Sequence, residues 1–227
     1  RSSPLPFWLT RMPTTETFLT FLVALALLEI SPGPDMMLTI ARGIGQGRRI
    51  ALLTVLGNVF IAGTIQVSFL VFGLVAAVHA WPLALDVLRW VGAAYLIWLG
   101  IKMLAPSGAN TRIGKTVKIS GRRAVKEGAI NSLTNPKSLL FMFAFLPQFV
   151  DPAVGPIWLQ LLILGSIQKL AGILSLGSVA LASGTFGNWL SQHPGFLKWQ
   201  ERFTGVVMIG LGIRMLFSGG MPQRSVE

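Results

Sequence analysis

Ser31-Pro32-Gly33-Pro34-Asp35 cuts through an apolar run that extends from about residue 17 to about residue 44. Two prolines remove two backbone donors and set their rings against the preceding turn, so a helix cannot pass straight through. Inside a bilayer the carbonyls released by such a break need partners, which confines it to places surrounded by protein or a solvated cavity. Asp35 follows the break, near the start of any second half-helix, where an anion is favoured. The plain reading of the motif is a kink with an N-capping Asp; the sharper one is a helix broken to line a cavity.

The sequence on either side says which solvent surrounds it. Of the 227 residues, 52 % are hydrophobic and 12 % charged, against about a quarter charged in an average soluble domain. The apolar residues arrive in runs of about 18 or more, the signature of bilayer-spanning helices. A net charge of +11 does not point to nucleic acid. The Lys and Arg residues sit in short loops between apolar runs, and no basic helix with interleaved aromatics is present. There is no cysteine, and the only histidines, His79 and His193, fall near expected helix ends. Disulfides, thiol chemistry and cysteine-ligated metals are thereby excluded, and no cofactor or metal is expected.

Six spans are predicted, at about 17–44, 50–78, 83–104, 124–149, 155–184 and 203–219. The chain then divides into an N-terminal extension (1–16), a first three-helix unit (17–104), a basic linker (105–123), a second three-helix unit (124–219) and a tail (220–227). Arg11 ahead of an apolar run could suggest a signal peptide, but no small-residue cleavage site follows. Most cations fall on one set of loops: Arg42, Arg48, Arg49, Lys102, the stretch from Arg112 to Lys126, Lys198 and Arg202. Arg1, Arg11, Arg89, Arg214 and Arg224 fall on the other. The first side is expected to be cytoplasmic, with both termini periplasmic, in a multi-pass protein of the bacterial inner membrane.

The two units look related. Residues 89–104 open on Arg, carry a Gly three residues later and close on Leu-Gly-Ile-Lys-Met-Leu; residues 202–216 do the same and close on Leu-Gly-Ile-Arg-Met-Leu. Each unit also begins with a proline-interrupted span, at Pro32 and Pro34 in one and Pro136 in the other. Three spans is an odd number, so the second unit enters the membrane upside down. The expected fold is an all-α membrane protein whose six transmembrane helices form two inverted three-helix repeats with proline-broken first and fourth helices, an architecture of secondary transporters. Gly57, Gly63, Gly92, Gly100, Gly205 and Gly212 read as close-packing positions, and Trp81, Trp90 and Trp158 as interfacial anchors.

The candidate site follows from that symmetry. If Pro34 and Pro136 are equivalent, so are Asp35 and Lys137, an acid and a base facing one another across the repeat axis and offsetting each other's desolvation. A zwitterionic substrate could replace that pairing, its ammonium meeting Asp35 and its carboxylate Lys137. Glu29, just before the break, and Asp35 are the carboxylates placed well inside a span, so either could carry a coupling proton. Lys169 beside Gln168 interrupts the fifth span at a cost of about 2.5–3.5 kcal/mol on insertion scales and needs a partner or water. Both Glu29 and Asp35 are candidates. Asn58, Gln66, Asn131 and Asn135 read equally well as ligand contacts and as interhelical glue.

These residues resemble the lysine exporter (LysE/RhtB-type) family of bacterial amino-acid efflux proteins. The resemblance runs from about Thr17 to Leu216 and is carried by Ser31 to Met36, Gly47-Arg48-Arg49, Gly92 to Leu96 running into Leu99-Gly100, Asn131 to Lys137, Phe145 to Phe149, and Gly205 to Leu216. The family's paired motifs, Pro-Gly-Pro and Asn-Pro-Lys, fall on Pro32-Gly33-Pro34 and Asn135-Pro136-Lys137. The resemblance implies export of an amino acid such as homoserine, threonine, lysine, arginine or leucine, driven by the proton gradient. The lipid bilayer and a homo-oligomer are the further partners expected. Gln66 and Gln168-Lys169 depart from the family pattern, which bears on the substrate more than on the class. The rival readings are a passive channel, an exporter of another small cation or metabolite, and a membrane hydrolase using Ser31 or Ser166 with Lys169. The hydrolase lacks a recognisable oxyanion arrangement.

Overall fold

The computed structural model describes residues 15–81, 83–105, 117–151 and 154–217, and among these there are helices and connections but no strand. The helices are α1 (Thr15–Ile30), α2 (Pro34–Gln46), α3 (48–80), α4 (Ala84–Leu104), α5 (Gly121–Thr134), α6 (136–149), α7 (Ile157–Gln192) and α8 (Pro194–Phe217). Most of the expected N-terminal extension and basic linker, and the whole tail, lie outside the described residues, as do the side chains of His79 and Arg89.

Among the described residues two helices are long and apolar enough to cross a bilayer, over Arg48–Ala77 and Ile157–Ser183. A third candidate is the pair α1–α2, bent by 42° at the break between Ile30 and Pro34. The expected proline-broken span at 17–44 is thus built as two rods. The boundaries expected for the last two spans also shift. α7 runs on to Gln192 and α8 begins at Pro194, so the polar stretch between 184 and 203 is helical on either side of one histidine. Proline at the first position of α8 suits a helix start, because its missing N–H has no intrahelical partner there. α3 and α6 are continuous but irregular, with π-helical turns at Gly57–Ala62, Phe69–Gly73 and Phe141–Phe145.

Helices in lipid gain little from burying apolar side chains against one another, so backbone approach and packing must hold them together. The glycines supply it. A methyl group built on Gly100 would lie 2.5 Å from the Gly205 carbonyl oxygen, and one on Gly212 would lie 2.7 Å from Ile97 Cγ1. α4 and α8, the two helices whose sequences match, thus pack antiparallel, backbone against backbone. A second close crossing joins α3 to α5. There a Gly57 methyl would strike the Val125 carbonyl oxygen at 1.9 Å and a Gly128 methyl the Thr54 carbonyl oxygen at 2.1 Å.

Among the described residues the buried apolar side chains form two cores. The larger gathers Phe21, Leu25 and Leu28 of α1, Phe141, Phe145 and Phe149 of α6, and Leu161 and Leu164 of α7. The smaller joins Ala51, Val55 and Val59 of α3 to Leu176 and Ala180 of α7. At the end of the bundle where α2 meets the linker, Arg42 ion-pairs with Glu127 of α5, and Glu127 also accepts from Arg123 at 2.8 Å. Gln46 donates to the Val117 carbonyl at 3.1 Å and accepts from Ile119 N–H at 2.6 Å. Trp81, Trp90 and Trp158 are exposed near helix ends, and Phe72 and Leu174 present apolar surface outward.

Candidate functional site

Pro32 and Pro34 cannot donate to Leu28 and Ile30, and the chain turns away before Gly33 and Asp35 could donate to Glu29 and Ser31. Four carbonyls are released, and each finds a partner. Leu28 O accepts from Ser31 N–H at 3.2 Å, a tightening of the last turn of α1. Glu29 O accepts from Ser175 Oγ of α7 at 3.1 Å. Ile30 O accepts from the Gln200 side-chain amide of α8, and Ser31 O from Lys137 Nζ of α6. The Ser31 hydroxyl lies 2.6 Å from Thr204 Oγ1 of α8. Three different helices therefore close one break, as the cost of an unpaired carbonyl in hydrocarbon requires.

The second break is narrower. Asn135 alone separates α5 from α6; its Oδ1 accepts from Lys137 N–H at 3.0 Å, an N-cap followed by proline at the first helical position. Pro136 releases Ser132 O, which accepts from Asn135 N–H at 3.2 Å and from Gln66 Nε2 of α3 at 3.0 Å. The two breaks meet through Asp35. Its carboxylate accepts from Asn131 Nδ2 at 2.5 Å and from Asn135 Nδ2 at 2.7 Å.

Between the two apolar cores lies a cavity of about 60 Å³, room for several water molecules. Glu29, Asp35, Lys137 and Lys169 all line it, together with Asn58, Asn135, Ser31 and Gln168. Two acids and two bases thus face one small space, with formal charges that cancel. A second and larger cavity of about 390 Å³ lies on the other side of the breaks, lined by Pro32, Pro34 and Pro136 and by Lys102, Glu201 and Met208. Gly33, Asn135 and Lys137 line both, so these three form the partition. The Lys137 stem crosses the partition over Gly33, where a methyl group would come within 3.1 Å of Lys137 Cδ. Lys169 crosses Gly63 in the same manner, at 3.0 Å from its Cδ.

The expected direct pairing of Asp35 with Lys137 is not what the structure contains. Both groups reach one cavity, but Asn135 stands between them, and the Lys137 ammonium is drawn instead to the carbonyl that the first break exposes. A carboxylate held by two amide donors and an ammonium held by a carbonyl are each satisfied without contact, which leaves their charges available to the cavity. Lys169 likewise meets neither Glu29 nor Asp35; it donates to Gln66 Oε1 at 2.6 Å. The two departures from the family pattern, Gln66 and Lys169, therefore belong to one chain of bonds running from Lys169 through Gln66 to Ser132 O. The sequence does not single out Ser175, Gln200 or Thr204. Each is an ordinary polar residue on an apolar helix, and only a carbonyl released on another helix marks it.

A family model described as LysE type translocator matches residues 26–219. A homoserine/homoserine lactone efflux protein of Salmonella typhimurium is 32 % identical over 196 residues, 86 % of this chain and 94 % of the relative. An uncharacterized membrane protein of Vibrio cholerae is 28 % identical, over 87 % of this chain and 95 % of its own length. A leucine efflux protein of Enterobacter sp. is 25 % identical, over 87 % and 94 %. No solved structure matches.

Proposed function

The chain belongs to the LysE type translocators, and from that membership we propose that it is a secondary transporter, not an enzyme, exporting amino acids or closely related metabolites across the bacterial inner membrane by proton antiport. The observation that carries this reading is the cavity where both proline breaks meet, with Glu29, Asp35, Lys137 and Lys169 around it. An amino acid brings one ammonium and one carboxylate, and such a cavity offers each a partner of opposite sign in a place where both would otherwise be costly. The efflux activities named for the Salmonella and Enterobacter relatives support the same class. A proton binding Glu29 or Asp35 as substrate leaves would couple the two movements.

The finer architecture belongs to this proposal. α1–α2, α3 and α4 form one unit and α5–α6, α7 and α8 the other, each a broken rod followed by two long ones. The antiparallel packing of α4 on α8 supports an inverted relation between them. On this reading there are six spans, and Thr15 and Phe217 end on the periplasmic side. Alternating access would then rock one unit against the other across the Gly33–Asn135–Lys137 partition.

The test is transport by purified protein in proteoliposomes loaded with labelled amino acids under an imposed proton gradient. Uphill efflux that a protonophore abolishes, and that Asp35→Asn and Lys137→Ala each suppress, is the expected result. Downhill flux indifferent to the gradient would favour a passive channel. Unaltered transport in both variants would remove the cavity from the mechanism.

A further inference from the structure

α2 is a short rod between two joints. At one end is the proline break; at the other, Gly47 joins it to α3 with φ at +88°, in the left-handed region that glycine adopts freely. The rod stands between the two cavities: Asp35 and Met36 line the smaller, Pro34 and Met37 the larger. Its small face packs on α7, where a methyl group on Gly43 would lie 1.9 Å from Ser183 Oγ. Its polar face carries Asp35, Arg42 and Gln46 at helical spacing and meets α5, with the residues just ahead of it, through side chains. Asp35 holds Asn131 near the break. At the far end Arg42 holds Glu127, and Gln46 bridges Val117 and Ile119.

The two units of the proposed architecture are pinned together elsewhere. α3 crosses α5, and α4 crosses α8, with no room for a methyl group between the backbones, so a rocking motion must pivot on those crossings. The contact of α2 with α5 differs in kind, because water can take over side-chain hydrogen bonds and an ion pair at small net cost. Arg42 gives one nitrogen to Glu127 and another to the Val117 carbonyl at 3.3 Å, and its Nε is buried with no partner among the described residues. A partly buried ion pair adds little net stability, and its best-attested use is in registry or switching.

We propose that α2 is the gate on the linker side of the smaller cavity and that Arg42 and Glu127 latch it. When the latch opens, α2 turns about Gly33 and Gly47 and parts from α5. The cavity then opens toward the end of the bundle that carries the linker, the cytoplasmic end on the reading above. This rests on the export reading and deepens it by naming the element that moves. Arg42 and Glu127 are positioning residues, since neither lines either of the two cavities.

The chain has no cysteine, so introduced thiols report without background. With Arg42→Cys and Glu127→Cys joined by a short bis-methanethiosulfonate, amino-acid exchange in proteoliposomes should be lost, and should return when reductant cuts the link. The same link between Leu53→Cys and Gly121→Cys, where α5 begins beside Leu53 of α3, should leave exchange intact. Labelling needs no substrate. Met36→Cys, in the cavity wall, should react with a charged, membrane-impermeant thiol reagent roughly threefold faster or more once Glu127→Gln loosens the latch. Exchange unaffected by the first link, or stopped equally by the second, would overturn the gate. So would labelling of Met36→Cys that ignores Glu127→Gln. If the double-cysteine chain is inactive before linking, the labelling rates decide alone. If the unaltered protein exchanges no amino acid, the export reading fails, while faster labelling would still show α2 opening.

Discussion

The two proline breaks do the same thing by opposite means. At the first, three residues separate α1 from α2, the N-cap is Gly33 with no side chain to offer, and the released carbonyls are met by Ser175, Gln200 and Lys137 from three other helices. At the second, one residue separates α5 from α6, and Asn135 caps the new helix itself. One break is held by the tertiary structure and the other mostly by its own sequence. A wide break closed from outside can be opened by moving its neighbours, whereas a narrow, self-capped one moves as a unit. On the proposed mechanism the first is the deformable partner and the second its rigid counterpart, with Asp35 as the link.

That contrast can be broken most severely at the link. Asp35→Asn removes the charge that two asparagines hold; charge-assisted bonds of this kind contribute about 1.5–3 kcal/mol each, so transport should fall roughly 100-fold. The efflux assay reads it directly, and a loss under threefold would mean that Asp35 only caps α2. Asn135→Ala takes away both a cap and a bond to Asp35, together about 2–5 kcal/mol. Denaturation in mixed micelles should register that loss, and Asn135→Asp should not restore it, because a second carboxylate would face the first. Gln200→Leu strikes the first break alone, leaving Ile30 O unpaired at about 1–3 kcal/mol. Amide exchange should then accelerate at the start of α2 and stay unchanged around Asn135; equal acceleration at both would show that the breaks are not independent. Ser175→Ala should be mildest, about 0.5–1.5 kcal/mol, since Glu29 O sits at the rim of a cavity that admits water. A melting shift larger than that for Gln200→Leu would reverse the ranking.

Much of this was legible in order along the chain. The first break reads directly from Pro32 and Pro34, because proline acts on its own turn. The second reads from Asn135-Pro136, a cap and a helix start side by side. Gly57, Gly92, Gly100, Gly205 and Gly212 are legible as close-packing positions, and each has a neighbour that leaves no room for a methyl group. The expected contact of Asp35 with Lys137 was not observed, because symmetry places two residues opposite one another without saying what stands between them. The pairing of Lys169 with Gln66 was out of reach for the same reason: two residues 103 positions apart have no mark in sequence that matches them.

What the sequence by itself determined is everything that depends on solvent and on local stereochemistry: a bilayer-resident chain, helices as its element, breaks at three prolines, and charges gathered near them. Hydrocarbon leaves a backbone few choices, and proline acts on atoms one turn away. What only the tertiary structure decided is which polar side chain answers which released carbonyl. Any donor satisfies an orphaned oxygen equally well by chemistry, and the assignment goes to whichever helix packing happens to bring within about 3 Å.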